Sequence, residues 1–443
     1  MRRLLLAPLV LAAGCGTMAD RVPALIEHQI LSTAPMRVEY VAAAKTEPEM
    51  PTTPSDLAGL WQLSLSHNPT LREAAAEVEI ARGRLIQAGK YPNPKIAYVG
   101  EEIGSHEHPK GNQSVEVLQE ILTAGKRPLD RAAAGRGLDA ATTALLGRKL
   151  DALSRLRRAY YDYQALVYAG QVNRAVIDSL ETSVEVTRKL VEDAKTRPRA
   201  DLLRLQALLE QARINLARTE ANVTAAWKQV AAEIGLSALP PPPALPALPA
   251  IVPLWTSDVI TQRVLSVHTD LSVARLEADR ARLEVERAQV EAVPNVTLGA
   301  GYNRAYVDET AGLALSLETP LPLWDRKQGL IHEKRARWAQ AQAAERSTAV
   351  RLNRDVAEAF ARYEGARIQV ERLTTLVLPK LVESEQLVRA GYFAGVKDVS
   401  FLEVQVAVEA LNEARGRLAE ARRELWRSVG DLQGLMQMDE AEE

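Results

Sequence analysis

The stretch AWKQVAAEIGL at residues 226–236 returns as LWRSVGDLQGL at residues 425–435 of this 443-residue chain. In each stretch a tryptophan is followed by a basic residue, a polar residue and a valine, and each stretch ends in Gly-Leu. The tryptophans stand at positions 227 and 426, a separation of 199 residues. A repeat at a fixed spacing indicates a duplicated unit, which has to be recognised before any single element is assigned.

The rest of the chain keeps nearly the same spacing. The matching pairs are 71–88 with 271–288, the Pro-Asn turns of 91–100 and 293–301, AYYDY (159–163) with AFARY (359–363), and LLRLQ (202–206) with FLEVQ (401–405). Helices rich in Ala, Leu, Glu and Arg resemble one another by composition alone. Composition would not keep a Pro-Asn turn and a terminal tryptophan in order, so the sequence predicts two tandem copies of one unit.

Within a copy the period of the apolar residues changes from helical to strand-like and back. In the second copy a helix is predicted over 257–292, followed by alternating residues in VTLGAGY (296–302) and LALSLE (313–318). Alternation places the leucines of LALSLE on one face and small or polar residues on the other. In the first copy the best apolar candidates for this face are Ile96, Tyr98, Val115 and Val117. Such a face suits lipid, although a soluble hairpin with one buried face would give a similar pattern.

Very long helices follow the strands. No proline occurs from Leu129 to Lys195, so the predicted helix is about 100 Å long. Its counterpart, 328–390, contains Pro379, which is expected to bend it. Steps of four and three residues from Val356 to Val388, and again along the returning helix, meet mostly apolar side chains. This pattern predicts coiled-coil packing of each long helix on a helix that returns beside it.

The turns between these helices are TRPRAD (196–201) and GYFAGVKDVS (391–400). Asp201 and Ser400 are predicted to be the N-caps of the returning helices. Each copy then reads helix, two strands, very long helix, tight turn and returning helix. Both hairpin tips therefore lie at one end of the helices, and both strand pairs lie at the other end.

Composition and motifs argue against an enzyme or a nucleic-acid-binding protein. The net charge is −2, so no electrostatic attraction for nucleic acid is expected. The sequence has no phosphate-binding glycine loop, no His-Glu-x-x-His motif and no cysteine pair. His106, Glu107 and His108 fall in a predicted loop between strands, where two imidazoles without a fixed scaffold make a poor metal cage. We therefore predict no metal site, no catalytic residue and no cofactor.

The first residues, MRRLLLAPLVLAAGCG (1–16), combine two arginines with a short apolar run. The run is too short to span a bilayer, so it is predicted to be a secretory signal peptide. It resembles a bacterial lipoprotein signal, which implies a covalent lipid on Cys15, the only cysteine. Gly16 follows in place of the aspartate that often retains such lipoproteins at the inner membrane. The alternative is an ordinary signal peptide with an incidental cysteine.

With this order of elements, residues from about 55 to 436 resemble the TolC-type outer-membrane efflux proteins. QEILTAGKR (119–127) and LETPLPLWDRKQG (317–329) resemble the strand-to-helix corners of the heavy-metal-cation branch of that family. The resemblance implies a mainly α fold with a small membrane β-barrel contribution. Three chains would each give four strands to one twelve-stranded β-barrel, and their duplicated units would form a hollow α-helical barrel across the periplasm.

The predicted organisation follows from the repeat and the resemblance together. It comprises a signal peptide (1–14), a lipid-anchored extended segment (15–55), a first repeat (56–236; strands near 92–103 and 113–123, helices near 129–195 and 201–235), a proline-rich linker in the equatorial belt (237–256), a second repeat (257–436; strands near 294–306 and 311–321, helices near 328–390 and 401–435) and a tail (437–443).

The function that the resemblance implies is passive conduction. Substrate, either heavy-metal cations or small toxic compounds, would pass from an inner-membrane pump of the resistance-nodulation-division type, through a periplasmic adaptor protein, to the exterior. The chain would be a homotrimer in the outer membrane of a diderm bacterium, in contact with outer-membrane lipid and with a large periplasmic portion. Two alternatives stay open: a non-conducting, lipid-anchored periplasmic coiled-coil scaffold, and the outer duct of a type I protein-secretion or drug-efflux system.

In the family the hairpin tips narrow the periplasmic mouth and contact the adaptor. The matching candidates are Arg199 and Asp201 in the first turn, and Gly395, Lys397, Asp398 and Glu403 around the second. Three copies of Asp398 or Glu403 around a three-fold axis would favour cations. The alternative is that Asp201 and Asp398 only cap or solvate their turns.

Overall fold

The computed structural model describes residues 53–439, apart from 105–109, 194, 196, 243–245, 247, 249–251, 307–308, 395 and 397–398. The elements of the first half are α1 (Leu57–His67), α2 (Pro69–Ala88), β1 (Lys95–Glu101), β2 (Asn112–Ile121), α3 (Lys126–Glu192) and α4 (Arg199–Ile234). Those of the second half are α5 (Ser257–Val267), α6 (Thr269–Val290), β3 (Val296–Ala305), β4 (Thr310–Glu318), α7 (Gln328–Arg372), a π-helical turn (Leu373–Val377), α8 (Leu378–Phe393) and α9 (Phe401–Leu435).

The same order of elements thus occurs twice: two short helices, two strands, a long helix and a returning helix. The longest helix, α3, has 67 residues, which corresponds to roughly 100 Å. It begins at Lys126, three residues before the predicted start, because proline at position 128 is tolerated in the first helical turn. Helix α3 packs against α4 of its own repeat and also against α6 and α9 of the other repeat.

The predicted single helix 257–292 is wrong, because His268 divides it into α5 and α6. His268 has an extended backbone and caps α6, with the Asp270 N–H donating to its Nδ1 at 3.1 Å. Asn68 divides the first-repeat helix in the same way, with the Thr70 N–H donating to Oδ1 at 3.0 Å. Apolar periodicity continues on both sides of each break, so the pattern alone could not reveal the caps.

The four strands form one antiparallel sheet in the order β1-β2-β3-β4, and the β2–β3 pair joins the two repeats. Residues paired across an antiparallel sheet share a face, and one row consists of Tyr98, Val115, Tyr302 and Leu313. The large apolar side chains of this face are exposed, with Leu313 at 89%. In the described part of the chain, the outer edges of β1 and β4 have no neighbouring strand.

The opposite face of the sheet carries small and polar residues. Gly301 lies directly under the Glu116 side chain, and a Cβ atom added at Gly301 would come within 2.6 Å of the Glu116 Cγ atom. Gly299 is crowded in the same way by Ser316. Glycine is therefore required at both positions of β3 for the strands to approach one another.

The repeated tryptophans close the main core. Trp227 of α4 lies against Tyr163 at a ring-centroid distance of 4.8 Å, and Trp426 of α9 lies against Tyr161 at 5.2 Å. Both tyrosines belong to α3, so the two returning helices are anchored on the same segment of the longest helix. The buried Trp227 Nε1–H donates to the Leu239 carbonyl at 2.8 Å, which ties the start of the linker to this core.

Pro379 acts through the π-helical turn that precedes it. Proline has no N–H, and its ring collides with the carbonyl four residues earlier in a regular helix. The turn widens there, and the Leu378 N–H donates to the Leu373 carbonyl, five residues back. The wider π-helical turn shifts by one residue the positions that face the neighbouring helix. Leu373 is buried, whereas Thr374 and Val377, which the coiled-coil spacing predicted to be buried, are exposed. The coiled-coil positions predicted for the returning helix agree with the structure, since all their apolar side chains are buried.

Close packing of α9 on α3 gives a first testable prediction. A Cβ added at Gly434 would lie 2.0 Å from Ser154 Oγ and 2.8 Å from its Cβ, whereas Gly416 of the same helix has open space. We expect Gly434→Ala to lower the free energy of unfolding by about 2 kcal/mol through overpacking. Gly416→Ala should leave it unchanged or raise it by up to ~1 kcal/mol. Thermal melting followed by circular dichroism compares the two variants, and equal midpoints would contradict this packing.

Candidate functional site

The two hairpin tips meet at the end of the helices farthest from the sheet. Arg197 and Asp201 come from the first tip, and Tyr392 and Phe401 come from the second; these four residues are called the tip cluster below. Tyr392 is only 1% exposed, and Phe401 lies edge-on to it at a ring-centroid distance of 5.9 Å. Leucine and valine side chains of α3, α4 and α9 surround the cluster. The tips are therefore held together by a buried core of their own.

Polar contacts within the tip cluster join the two hairpins. The Tyr392 hydroxyl donates to Asp201 Oδ2 at 3.1 Å, and both residues are buried. The Arg197 guanidinium lies over the Tyr392 ring at 3.9 Å from the centroid and donates to the Tyr392 carbonyl. A cation over an aromatic face is attracted to it, and more strongly where water is excluded. Separating the tips would break all three contacts at once.

The tyrosine stays a donor over the whole physiological range. Burial and the neighbouring Asp201 carboxylate, which also accepts its hydrogen bond, raise the pKa of Tyr392 to about 12, although Arg197 acts in the opposite direction. The hydroxyl therefore remains protonated, and a change of external pH does not break the bond by removing its proton.

The structure assigns different local roles to the predicted site residues. Arg199 is exposed at the first position of α4. Asp201 is not the N-cap, because α4 begins two residues before it with Pro198 at the cap position, and its carboxylate instead accepts from Tyr392. Ser400 is the N-cap of α9, as predicted. Its partner in a capping box is Glu403, whose carboxylate accepts from the Ser400 N–H at 2.8 Å.

Gly395, Lys397 and Asp398 lie outside the described residues. A role at an aperture stays a prediction for all six candidates. Arg197 and Tyr392, the two residues that join the tips, were not among the predicted site residues. Both stand inside the quoted turns, TRPRAD and GYFAGVKDVS. The available signal was the pair of adjacent aromatic residues, Tyr392 and Phe393, within the second turn.

A second polar cluster lies where the first repeat leaves the sheet and joins QEILTAGKR (119–127) to the end of α6 and the turn that follows it. It comprises Glu120, Lys126, Arg287, Glu291 and Asn295 and is called the corner network below. Lys126 is 2% exposed; its Nζ donates to Asn295 Oδ1 at 2.7 Å and lies 3.6 Å from Glu291 Oε2. Asn295 Nδ2 donates in turn to Glu120 Oε1 at 2.7 Å. The Asn of the second Pro-Asn turn thus connects the two repeats.

Ionised groups hold the corner network together. Burial opposes ionisation of Glu291, but hydrogen bonds and positive charge from Arg287 and Lys126 outweigh it and lower the pKa of this carboxyl group. Arg287 also donates from Nε to Asp130 Oδ1 of α3 at 2.8 Å. Gly125, with φ of 69°, precedes Lys126 and allows the sharp turn from strand to helix. Glu120 and Lys126 of QEILTAGKR therefore connect the first repeat to the second at the end of the sheet.

The described ranges contain neither a membrane-spanning helix nor a metal-binding cluster. None of the helices in residues 53–439, outside the gaps given above, combines the length and the hydrophobicity needed to cross a bilayer. In the same residues no three His, Cys, Asp or Glu side chains are grouped so that they could hold a metal ion. The His106–Glu107–His108 segment and Cys15 lie outside the described residues.

The chain is similar to proteins of known structure. It aligns with the crystal structure of the outer membrane protein VceC from Vibrio cholerae with a TM-score of 0.70 and 19% identity, covering 86% of this chain and 96% of that one. Crystal structures of CusC, described with transmembrane channel formation, align with a TM-score of 0.71 and 17% identity, covering 91% and 96%. These likenesses establish the fold.

Sequence comparison identifies the family. The cobalt-zinc-cadmium resistance protein CzcC of Cupriavidus metallidurans is 23% identical over 375 residues, which cover 82% of this chain and 85% of CzcC. The model of the family described as outer membrane efflux protein matches twice, at residues 60–236 and 260–436. The family consists of channels and not of enzymes. The chain therefore belongs to the outer membrane efflux protein family and is an outer-membrane channel component of an efflux system.

Proposed function

We propose that this channel conducts heavy-metal cations through a homotrimer whose twelve strands close one β-barrel in the outer membrane. The observation that carries the proposal is the four-stranded sheet. It has an exposed apolar face on one side and small and polar residues on the other, and within the described ranges no strand lies beside the outer edges of β1 and β4. In lipid every backbone N–H and C=O group needs a partner, so a sheet with open edges has to close with copies of itself.

The substrate class rests on the similarity to CzcC, whose name assigns it to cobalt, zinc and cadmium resistance. A channel of this kind needs no catalytic group, because conduction follows the gradient that the pump creates. The pump is proposed to be of the resistance-nodulation-division type and to be joined to the channel by a periplasmic adaptor. A protein-secretion or drug-efflux duct with the same fold is the alternative, and ion preference separates it from a metal channel.

The hairpin tips are proposed to form the periplasmic aperture and the contact with the adaptor. Two kinds of group support this role. The buried tip cluster, centred on Tyr392 and Asp201, gives each chain a joint that has to break when its hairpins separate. Exposed residues such as Arg199, together with the predicted Lys397 and Asp398, are proposed to line the mouth or to contact the adaptor.

The N-terminal lipid is proposed to lie on Cys15, after removal of residues 1–14 as a signal peptide. The lipid would add a second membrane anchor to the one that the strands provide. Because the two anchors are independent, they can be tested one at a time.

Membrane extraction of a Cys15→Ser variant tests the proposal. The apolar face of three sheets should keep this variant in the outer membrane, so detergent is expected to be needed for its release, as for the wild-type chain. In planar bilayers the purified trimer should conduct and should prefer divalent cations over anions. Release of the variant by an alkaline wash without detergent would contradict the barrel. A conducting channel with no cation preference would contradict the substrate class only.

A further inference from the structure

We propose that His268 makes the break between α5 and α6 sensitive to acid, whereas the same break in the first repeat is not. This sensitivity to pH is separate from conduction and belongs to one repeat only. It rests on a position that the two repeats share, 200 residues apart, and at which they differ: Asn68 and His268.

Asn68 and His268 are both N-caps, but their side chains differ in chemistry. Each is a buried N-cap whose side chain accepts a hydrogen bond from the backbone N–H two residues ahead, on Thr70 and on Asp270. An amide oxygen accepts at any pH. An imidazole Nδ1 accepts only while it carries no proton, which places the proton of the neutral ring on Nε2. Protonation of His268 therefore removes this acceptor, and the Asp270 N–H loses the partner that the cap provides.

The surroundings of His268 hold it neutral near pH 7. Burial lowers the pKa of His268 below its ordinary value of about 6.5, and Arg351 of α7 acts in the same direction. Asp270 of α6, Asp151 of α3 and Asp355 of α7 oppose this change with their negative charge. A depressed pKa means that the cap contributes stability above about pH 6.5. The contribution is lost as pH falls through the lower, folded-state value.

Several elements converge at this break. Gln437, which follows α9, accepts from the Thr269 N–H at 2.9 Å and donates to its hydroxyl at 2.7 Å. Arg351 of α7 forms an ion pair with Asp270 at 2.7 Å. Gly147 of α3 lies against Thr269, since a Cβ there would come within 2.5 Å of its hydroxyl. A weakened cap is therefore transmitted to α3, to α7 and to the residues that follow α9.

Hydrogen exchange on the full-length chain in detergent tests the proposal, read out by mass spectrometry at about pH 8 and about pH 5. Protection is divided by the intrinsic exchange rate at each pH. For a peptide that begins several residues before His268 and includes Asp270, we expect protection to fall about fivefold on acidification, which corresponds to the loss of a typical side-chain cap. The equivalent peptide of the first repeat, which begins several residues before Asn68 and includes Thr70, is the internal control and should change by less than twofold.

Two variants separate the histidine from other acid effects. His268→Asn copies the residue of the first repeat and should remove the pH-dependent loss while it keeps protection at about pH 8. Burial and Asp270 raise the pKa of the neighbouring Asp151, so this carboxyl group could also respond to acid. Asp151 is still present in His268→Asn, so any acid response that it causes would persist in that variant. His268→Ala should be weakly protected at both pH values. An acid response that persists in His268→Asn, or an equal response of the two peptides, would overturn the proposal.

Discussion

Tyr392→Phe is expected to increase the open fraction or the single-channel conductance of this channel more than other conservative substitutions in its helices. Phenylalanine keeps the ring under Arg197 and beside Phe401, and removes only the hydroxyl. The buried Asp201 carboxylate then loses its donor. A hydrogen bond to a charged group contributes about 2 kcal/mol, so the ratio of joined to separated tips should fall roughly 30-fold.

A matched control is Tyr168→Phe in α3. The Tyr168 ring also lies under a guanidinium, that of Arg422 at 4.9 Å, but in the described part of the chain its hydroxyl has no hydrogen-bond partner. This variant should conduct like the wild-type channel in planar bilayers. If Tyr392→Phe also leaves both conductance and open fraction unchanged, the tip cluster does not hold the aperture.

Lys126→Met is expected to destabilise the chain by about 3 kcal/mol, because it removes a buried cation that donates a hydrogen bond to Asn295 and lies beside the Glu291 carboxylate. Asn295 Oδ1 loses its 2.7 Å donor, and Glu291 keeps only Arg287. The thermal midpoint of the purified chain in detergent should fall by about 4 °C. The loss should appear first where the sheet joins the helices, since Asn295 also bonds to Glu120 of β2.

Lys327, at the strand-to-helix corner of the second repeat, provides the comparison. Its Nζ pairs with the exposed Asp325 at 2.8 Å, and exposed pairs contribute little. We therefore expect the Lys327→Met variant to have the same thermal midpoint as the wild-type chain. Equal destabilisation by the two substitutions would show that burial of Lys126 is not what makes the corner network important.

The order of the elements could be predicted because the internal repeat, the positions of the prolines and the period of the apolar residues determine it. The Pro-Asn turns and the terminal tryptophans mark equivalent points of both copies, and Trp227 and Trp426 indeed close one core on α3. The apolar face of the sheet followed from simple alternation in LALSLE. These features are local in sequence, or they recur at a fixed spacing, so a single chain reveals them.

What could not be predicted depends on contacts between distant residues. The caps at Asn68 and His268 interrupt helices whose apolar pattern continues unchanged. Asp201 looks like a helix cap in TRPRAD, but Tyr392, 191 residues away, decides its role. The π-helical turn before Pro379 moves the packing positions by one, although proline alone signalled only a bend. In each case tertiary structure overrides a local preference.

The open edges of β1 and β4 also bear on how the channel reaches its final place. A single copy that entered a bilayer would carry two rows of unpaired backbone N–H and C=O groups into the hydrocarbon, one row on β1 and one on β4. Each unpaired group would cost several kcal/mol. In the proposed trimeric barrel, insertion and association would therefore be a single coupled event. Newly exported copies of the proposed trimer would have to associate at the membrane surface before any of them could cross the membrane.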